Sequence, residues 1–302
     1  MRVTRDPYHP GIARRSVVAI GVFDGVHRAH RVIISSAVAF ARRTGATSVV
    51  LTFWPHPQGQ QSLYSLEHRI RIIAELGADV CVVARFDRRF ARMAAAAFIK
   101  RILVDALRAS AVYVGENFRF GKDARGDSAL LQKYSAQFHY ALKIFRVLKS
   151  HRRIISSTAI RRLIVEGKLY EAASLLEHPV SILGRVGRGD SLATRLGFPT
   201  ANIDPQHDIV PPAGIYAVRI VWKGRQFKGV CYIGTRPTFK ARDAERSIEV
   251  HIFDFRRRIY GQPLEIAFVK KIRNERKFSS TPALIKAIKK DIISAKKIFS
   301  LH

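Results

Sequence analysis

The stretch Ser16–His30, SVVAIGVFDGVHRAH, decides how the chain folds. Ser16–Phe23 is a short apolar run rich in β-branched residues, which predicts a buried strand. A glycine-bearing turn follows, and His27 and His30 lead into an apolar-periodic segment, Arg31–Arg43, that reads as a helix. A strand apolar on both faces, feeding a helix, belongs in a parallel sheet covered on both sides. The carboxyl end of such a strand is where open α/β sheets take ligands, and a helix N-terminus offers its N–H groups to phosphate. Two histidines at i and i+3 in one turn can face the same oxyanion and stabilise a phosphoryl group in transfer. They could also share a metal, although no third ligand follows nearby, or simply sit as polar residues at a corner.

Moving outward, the same alternation repeats. Strands are expected at Ser48–Trp54, Asp79–Phe86, Ala111–Val114 and Tyr140–Leu148, with helices near Leu66–Leu76, Ala94–Ala109 and Asp127–Gln137. Two short helices fit SSTAIRRLIVEGKLYEAASLLEHP. From Val180 the texture changes to SILGRVGRG, GIYAVRIVW, QFKGVCYIG, SIEVHIFDF and PLEIAFVKKI, punctuated by Gly and Pro, which suits an antiparallel barrel. Thr281–Ser300 closes the pattern as a basic amphipathic helix with Leu284, Ile285, Ile288, Ile292, Ala295 and Ile298 on one stripe. Packing on the barrel with its lysines in water is the expectation, and docking on nucleic acid or a membrane the alternative. The boundary is placed near Pro179, giving domains 1–178 and 179–302, an α/β domain followed by a β domain. No internal repeat or low-complexity segment interrupts them.

Composition narrows the function classes. With 47% apolar residues in 302, burial can offset chain entropy in two domains. Cys81 and Cys231 are far apart inside apolar runs, without a Cys-x-x-Cys pair, and read as buried free thiols. The basic start lacks an apolar signal region and no run is long enough to span a membrane. A soluble protein of a reducing compartment is expected, the cytoplasm in a bacterium. Lys and Arg number 53 against 23 Asp and Glu, a net charge of +30. That field attracts any polyanion, nucleotide or nucleic acid. The basic residues are scattered and neither zinc-finger spacing nor a stacking platform is present, so nucleic acid is disfavoured as a partner.

Other motifs carry chemistry. TFWPHP ends the second strand with His56. GENFRFGKDARGD follows a later strand, but five residues separate Gly115 from Gly121 and Asp123 stands where a P-loop needs Ser or Thr, so a Walker motif is rejected. ISSTAIRR offers hydroxyls at a helix start and Arg161 in the next turn, a reasonable phosphate clamp.

Taken together, GVFDGVHRAH, FWPHP, GENFRFG and SSTAIR, in that order, resemble the nucleotidyltransferase domain of bacterial bifunctional riboflavin kinase/FMN adenylyltransferases, the FAD synthetase family. GRGDSLATRLGFPTANI, PPAGIYAV, IGTRPTF, SIEVHIFDFRRRIYG and IRNERKF resemble its riboflavin kinase domain. The resemblance implies a Rossmann-like N-terminal domain, and a C-terminal kinase barrel with a terminal helix. Riboflavin, FMN and FAD would be its substrates and products, with ATP as co-substrate and Mg²⁺ as cofactor. It implies that His27 and His30 contact ATP phosphates with His56 beside them, and that Asn117 lies near phosphate or flavin. Ser157, Thr158 and Arg161 would form the phosphate-binding loop. In the second domain Thr200 and Asn202 would hold Mg²⁺ and ATP phosphates, and Glu249 would be the base for the ribityl hydroxyl. Phe118, Phe120 and Phe278 are candidates for flavin contact, set against an ordinary core role. His251 shares the Glu249 face and reads as packing, and His207 as a solvated loop residue.

The chain departs from the family in one motif. Ala29 replaces the glycine between the histidines, and Val22 the asparagine of GNFDG. Glycine there lets backbone approach phosphate closely. A riboflavin kinase with an impaired first domain is therefore the alternative enzyme reading. A nucleic-acid-binding protein on a nucleotidyltransferase scaffold is the alternative of another class, and would show steep salt dependence. Homo-oligomerisation is left open.

Overall fold

The computed structural model describes residues 1–150, 153–188, 195–205, 207–235 and 246–300. They form two compact units, Met1–Ala159 and Ile160–His302.

In the first unit the elements run β1 (Arg2–Thr4), β2 (Ser16–Ile20), α1 (Arg28–Thr44), β3 (Thr47–Trp54), α2 (Leu66–Glu75), β4 (Val80–Arg85), α3 (Arg88–Ala91) and α4 (Ala95–Phe98). A π-helical segment, Ile99–Ala106, continues α4, and β5 (Ala109–Gly115), α5 (Ser128–Phe138), β6 (Ala141–Phe145) and the small pair β7 (Lys149–Ser150) and β8 (Arg153–Ile154) complete it. Six strands form one sheet in the order β1-β4-β3-β2-β5-β6, parallel throughout. Side-chain alternation splits each strand between two cores. Val18 and Ile20 pack with Val49, Leu51, Val112 and the π-helical Ile102 and Leu103 on one face. Val17 and Ala19 pack with Val50, Cys81, and Ile34 and Val38 of α1 on the other. Strand order reverses at β2, between β3 and β5, which puts the topological switch point at the carboxyl end of Ser16–Ile20.

Some boundaries moved for local reasons. The strand expected to reach Phe23 stops at Ile20, because Phe23, Gly25 and Val26 all take left-handed backbone angles. A Cβ at Gly21 would sit 2.9 Å from the Phe23 ring, so that turn requires glycine. The helix expected over Ala94–Ala109 ends at Ala106, since Arg108 turns left-handed and Ala109 already belongs to β5. The strand expected over Tyr140–Leu148 is only Ala141–Phe145. The edge strand β1 and the one-turn helix α3 were too short for their periodicity to register.

The second unit begins inside α6 (Ser157–Val165) and continues through α7 (Leu169–Leu176), β9 (Ser181–Gly187), β10 (Ala201–Asp204), β11 (Gly214–Trp222), β12 (Arg225–Thr235), β13 (Arg246–Ile252), β14 (Pro263–Arg273) and α8 (Thr281–Ser300). Its six strands close into a barrel, β10-β13-β12-β11-β14-β9, antiparallel at every pairing. β10 is the strand the sequence pattern missed, its short TANI run too brief to alternate visibly. Helix α8 packs on the barrel through Ala295 and Phe299 against Ala217 and Phe253, with Lys289, Lys290, Lys296 and Lys297 exposed. His207 is not a solvated loop residue: it is partly buried and its Nε2 accepts the Leu183 N–H at 3.1 Å, where β9 has run past β10. Residues 189–194 of GRGDSLATRLGFPTANI and 236–239 of IGTRPTF lie outside the described residues. Among the described residues no helix is long and apolar enough to cross a membrane.

Candidate functional sites in the two units

At the switch point His27 is the N-cap of α1 and His30 lies in its first turn. Their rings stack with centroids 3.6 Å apart and 18° between planes. The Phe23 ring meets His30 edge-on at 5.2 Å. His27 is buried, and the Nδ1 of His30 is buried with no hydrogen-bond partner among the described residues. Burial, then the neighbouring His27 and Arg69, hold the His30 imidazole well below its ordinary pKa. A neutral ring is thus kept beside a helix N-terminus, which itself favours an anion.

His56 follows β3 by two residues. Its Nδ1 accepts the Gln58 N–H at 3.2 Å, which leaves the proton of the neutral ring on Nε2 as a donor. Ser157 opens α6, and its Oγ donates to the backbone oxygen of Asp24 at 2.9 Å. Thr158 is exposed beside it. Arg161 lies one turn further along the same helix, in the second unit. Asn117 is exposed in the turn after β5, the other strand of the switch point. Phe120 is buried against Phe98, and Phe118 stacks on it at 5.4 Å, partly buried. Ala29 is partly buried in α1, and Val22 packs at the edge of the core with its carbonyl engaged.

Two residues here escaped the sequence reading, Asp24 and Arg69. Both are buried, and they pair at 3.4 Å. Arg69 occupies the apolar stripe of α2 with Ile72 and Ile73. A charge on a buried stripe was the signal available.

In the second unit β10 and β13 pair so that Asn202 lies opposite Glu249. Thr200 Oγ1 donates to Glu249 Oε2 at 3.2 Å, and Ser247 Oγ to Oε1 at 3.4 Å. A cavity of about 360 Å³ is lined by Thr200, Tyr232, Glu249, His251, Arg273 and Phe278, among others. His251 therefore does share the Glu249 face, and its Nδ1 lies 2.9 Å from the Pro199 carbonyl. Tyr232, opposite Glu249 across β12 and β13, donates a short hydrogen bond to Glu275. Burial and then the Glu275 carboxylate raise the Tyr232 pKa, so it stays a neutral donor. Arg273 forks onto Asp291 of α8 at 2.9 and 2.7 Å, and Arg273 and Arg276 both lie over the Phe278 ring. Tyr232, Glu275, Arg273 and Asp291 are site neighbours the sequence reading did not single out. Both cysteines are buried free thiols, Cys81 pushed up to about 12 by burial and Cys231 raised for the same reason.

Paired histidines at the switch point of a parallel sheet, and a carboxylate beside a hydroxyl on a barrel cavity, are arrangements suited to an enzyme that handles phosphate at two centres. Comparison with known proteins makes that class particular. The profile of FAD synthetase matches residues 9–159 and that of riboflavin kinase residues 176–299. The bifunctional riboflavin kinase/FMN adenylyltransferase of Escherichia coli K12 is 37% identical over 293 residues, covering 94% of this chain and 93% of that protein. The protein of the same description from Listeria monocytogenes is 39% identical, covering 91% and 90%. A crystal structure from Streptococcus pneumoniae, described as a macrolide-efflux protein, superposes with a TM-score of 0.82 at 28% identity over 96% of each chain. The chain belongs to the bifunctional riboflavin kinase/FMN adenylyltransferase family.

Proposed function

We propose that the chain makes FAD from riboflavin in two ATP-dependent steps. Residues 179–302 would phosphorylate riboflavin and residues 1–178 would adenylylate the FMN so formed. The observation that carries the reading is that each half holds a separate constellation suited to one step.

In the kinase step Glu249 takes the proton of the ribityl 5′-hydroxyl as its oxygen attacks the γ-phosphorus of ATP, and ADP leaves. Thr200 already gives its hydroxyl proton to Glu249, so its oxygen lone pairs remain to accept a cation. With the Asn202 amide oxygen they make a neutral, hard donor set of the kind Mg²⁺ accepts alongside substrate phosphates. Mg²⁺, held by Thr200 and Asn202, would neutralise charge on the ATP phosphates. Phe278, which lines the cavity beneath two arginine side chains, is the candidate for contact with the flavin ring.

In the adenylyl step the FMN phosphate is already an anion, so no base is required. Its oxygen attacks the α-phosphorus of ATP and pyrophosphate departs. His27, His30 and His56 act as hydrogen-bond donors to the phosphates as charge shifts to the leaving group, with Ser157, Thr158 and Asn117 as further contacts. Arg161 is assigned to ATP by the family resemblance. Phe118, partly buried, is the candidate for flavin contact here, since Phe120 is buried in the core against Phe98. The two buried thiols suit work in a reducing cytoplasm.

Incubating the chain with riboflavin, ATP and Mg²⁺ and separating the products tests the reading. FMN and FAD together are expected. FMN alone would leave a kinase with a disabled first domain, and neither product would sink the enzyme reading.

A further inference from the structure

Arg69 joins the ends of two adjacent strands from beneath. Its side chain comes from α2 and is fully buried. Nη1 donates to the carbonyl of Val22, in the turn after β2, at 2.9 Å, and to that of Phe53, at the end of β3, at 3.2 Å. Nη2 reaches Asp24 Oδ1 at 3.4 Å, and the guanidinium lies over the Trp54 ring at 5.4 Å. The same Asp24 oxygen accepts the Leu63 N–H at 2.9 Å, while the Asp24 carbonyl accepts the Ser157 hydroxyl. The turn after β2 carries His27 and His30, and the loop after β3 carries His56. One guanidinium fork thus spans the two loops on which the phosphate-facing histidines ride.

Stability alone does not account for this arrangement. A fully buried guanidinium is costly to desolvate, and its contact with the Asp24 carboxylate is long at 3.4 Å. Burial accordingly pulls the Arg69 pKa down, with Asp24 opposing. An apolar side chain of similar volume often matches or exceeds a buried pair in stability. What an apolar side chain lacks is the set of directed donors that bind two carbonyls, one in the turn after β2 and one in β3. The turn it holds has three left-handed residues in four, Phe23, Gly25 and Val26, and needs such outside support to keep one conformation.

We propose that Arg69 is the positioning residue of the adenylyl-transfer site, fixing the β2–α1 turn and the loop after β3 relative to each other so that His27, His30 and His56 meet one triphosphate. This rests on the adenylyltransferase reading of the first unit. Displacement of about 1 Å between such groups costs roughly a hundredfold in rate.

The test uses the full chain, in which the kinase reaction serves as an internal control. Arg69→Met should lower kcat for FMN to FAD about a hundredfold, with a smaller change in KM for ATP and riboflavin phosphorylation within twofold. Arg69→Lys keeps the charge and one or two of the bonds, and should recover about tenfold over the Met variant, short of the parent. Adenylyl transfer by a folded Met variant within threefold of the parent overturns the proposal. Should the Met substitution unfold the first unit, seen as loss of protease resistance with the kinase intact, the Lys variant decides. At unchanged melting temperature its kcat should be about tenfold below the parent, and parental kcat overturns the proposal. A parent chain that makes FMN but no FAD removes the underlying reading and the proposal together, an outcome distinct from FAD formed equally by parent and variants.

Discussion

Thr200 and Glu249 meet at the barrel wall, the threonine hydroxyl, one residue before β10, donating to the glutamate carboxylate on the neighbouring β13 at 3.2 Å. The bond places a proton acceptor and a neutral oxygen donor side by side on a cavity large enough for an aromatic substrate.

If Glu249 is the base, Glu249→Gln keeps the shape and loses the proton acceptor. Riboflavin phosphorylation should fall by about two to four orders of magnitude. FAD formation from supplied FMN should stay within twofold, because that reaction uses the other unit. Chromatography of both products in parallel checks this. Equal loss of both would indicate a folding defect and remove Glu249 from the base role.

A second prediction concerns how α8 is held. Arg273 forks onto Asp291, whose side chain is 7% exposed against 22% for the arginine. Asp291→Ala strands a mostly buried guanidinium and should cost about 3 kcal/mol. For a unit of this size that is roughly 10 °C in melting temperature. The double variant Arg273→Met with Asp291→Leu removes both charges and should regain more than half of the loss. Calorimetry of parent, single and double variants reads the difference. A single variant as stable as the parent would show the pair to be dispensable.

The third prediction follows from His30. Burial, with His27 and Arg69 beside it, holds its ring well below the ordinary value of 6.5. Unfolded, the ring takes up a proton near pH 6.5, while folded it resists until the pH is much lower. The unfolded state therefore binds more protons in that window, and the fold loses stability as pH falls below about 6.5. Above it the effect vanishes. His30→Gln removes the difference, so the melting temperature of the first unit should fall less between about pH 7 and pH 5 in the variant than in the parent. Identical pH dependence in the two would refute a His30 ring held neutral by the fold.

What the sequence made legible was whatever repeats or punctuates. Val17 to Ile20 announce a strand covered on both faces, and the apolar stripe of Thr281–Ser300 announces a helix lying on a barrel. The histidines and Glu249 stand at motif positions and could be named at once. Arg69 and Asp291 could not. Each is a charged residue on an apolar stripe, and only its partner in space, Asp24 for one and Arg273 for the other, shows why it is there. Tyr232 was hidden for a related reason. Its period-2 position fits a barrel strand, and nothing in that spacing reveals the Glu275 carboxylate it meets. Short elements such as β1 and β10 fail differently, because they form only when neighbours supply the hydrogen bonds.

The last prediction is Ala29→Gly, which restores the residue type the family motif carries. Residues advance about 100° each around a helix, so His27 and His30 share a face while Ala29 is turned well away from it. The two rings stack at 3.6 Å with the methyl group in place, and the turn beneath them is held by Asp24 and Arg69. On this geometry the methyl does not lie between the histidines and a phosphate. The parent should make FAD, and the glycine variant should change kcat by less than threefold. Glycine in the first turn should instead loosen α1, by up to about 1 kcal/mol, and lower the melting temperature by a few degrees. Steady-state FAD formation and a thermal scan on both proteins check the two halves of the prediction. A glycine variant faster by two orders of magnitude would show that the methyl crowds the triphosphate, and would make the kinase the chain's principal activity.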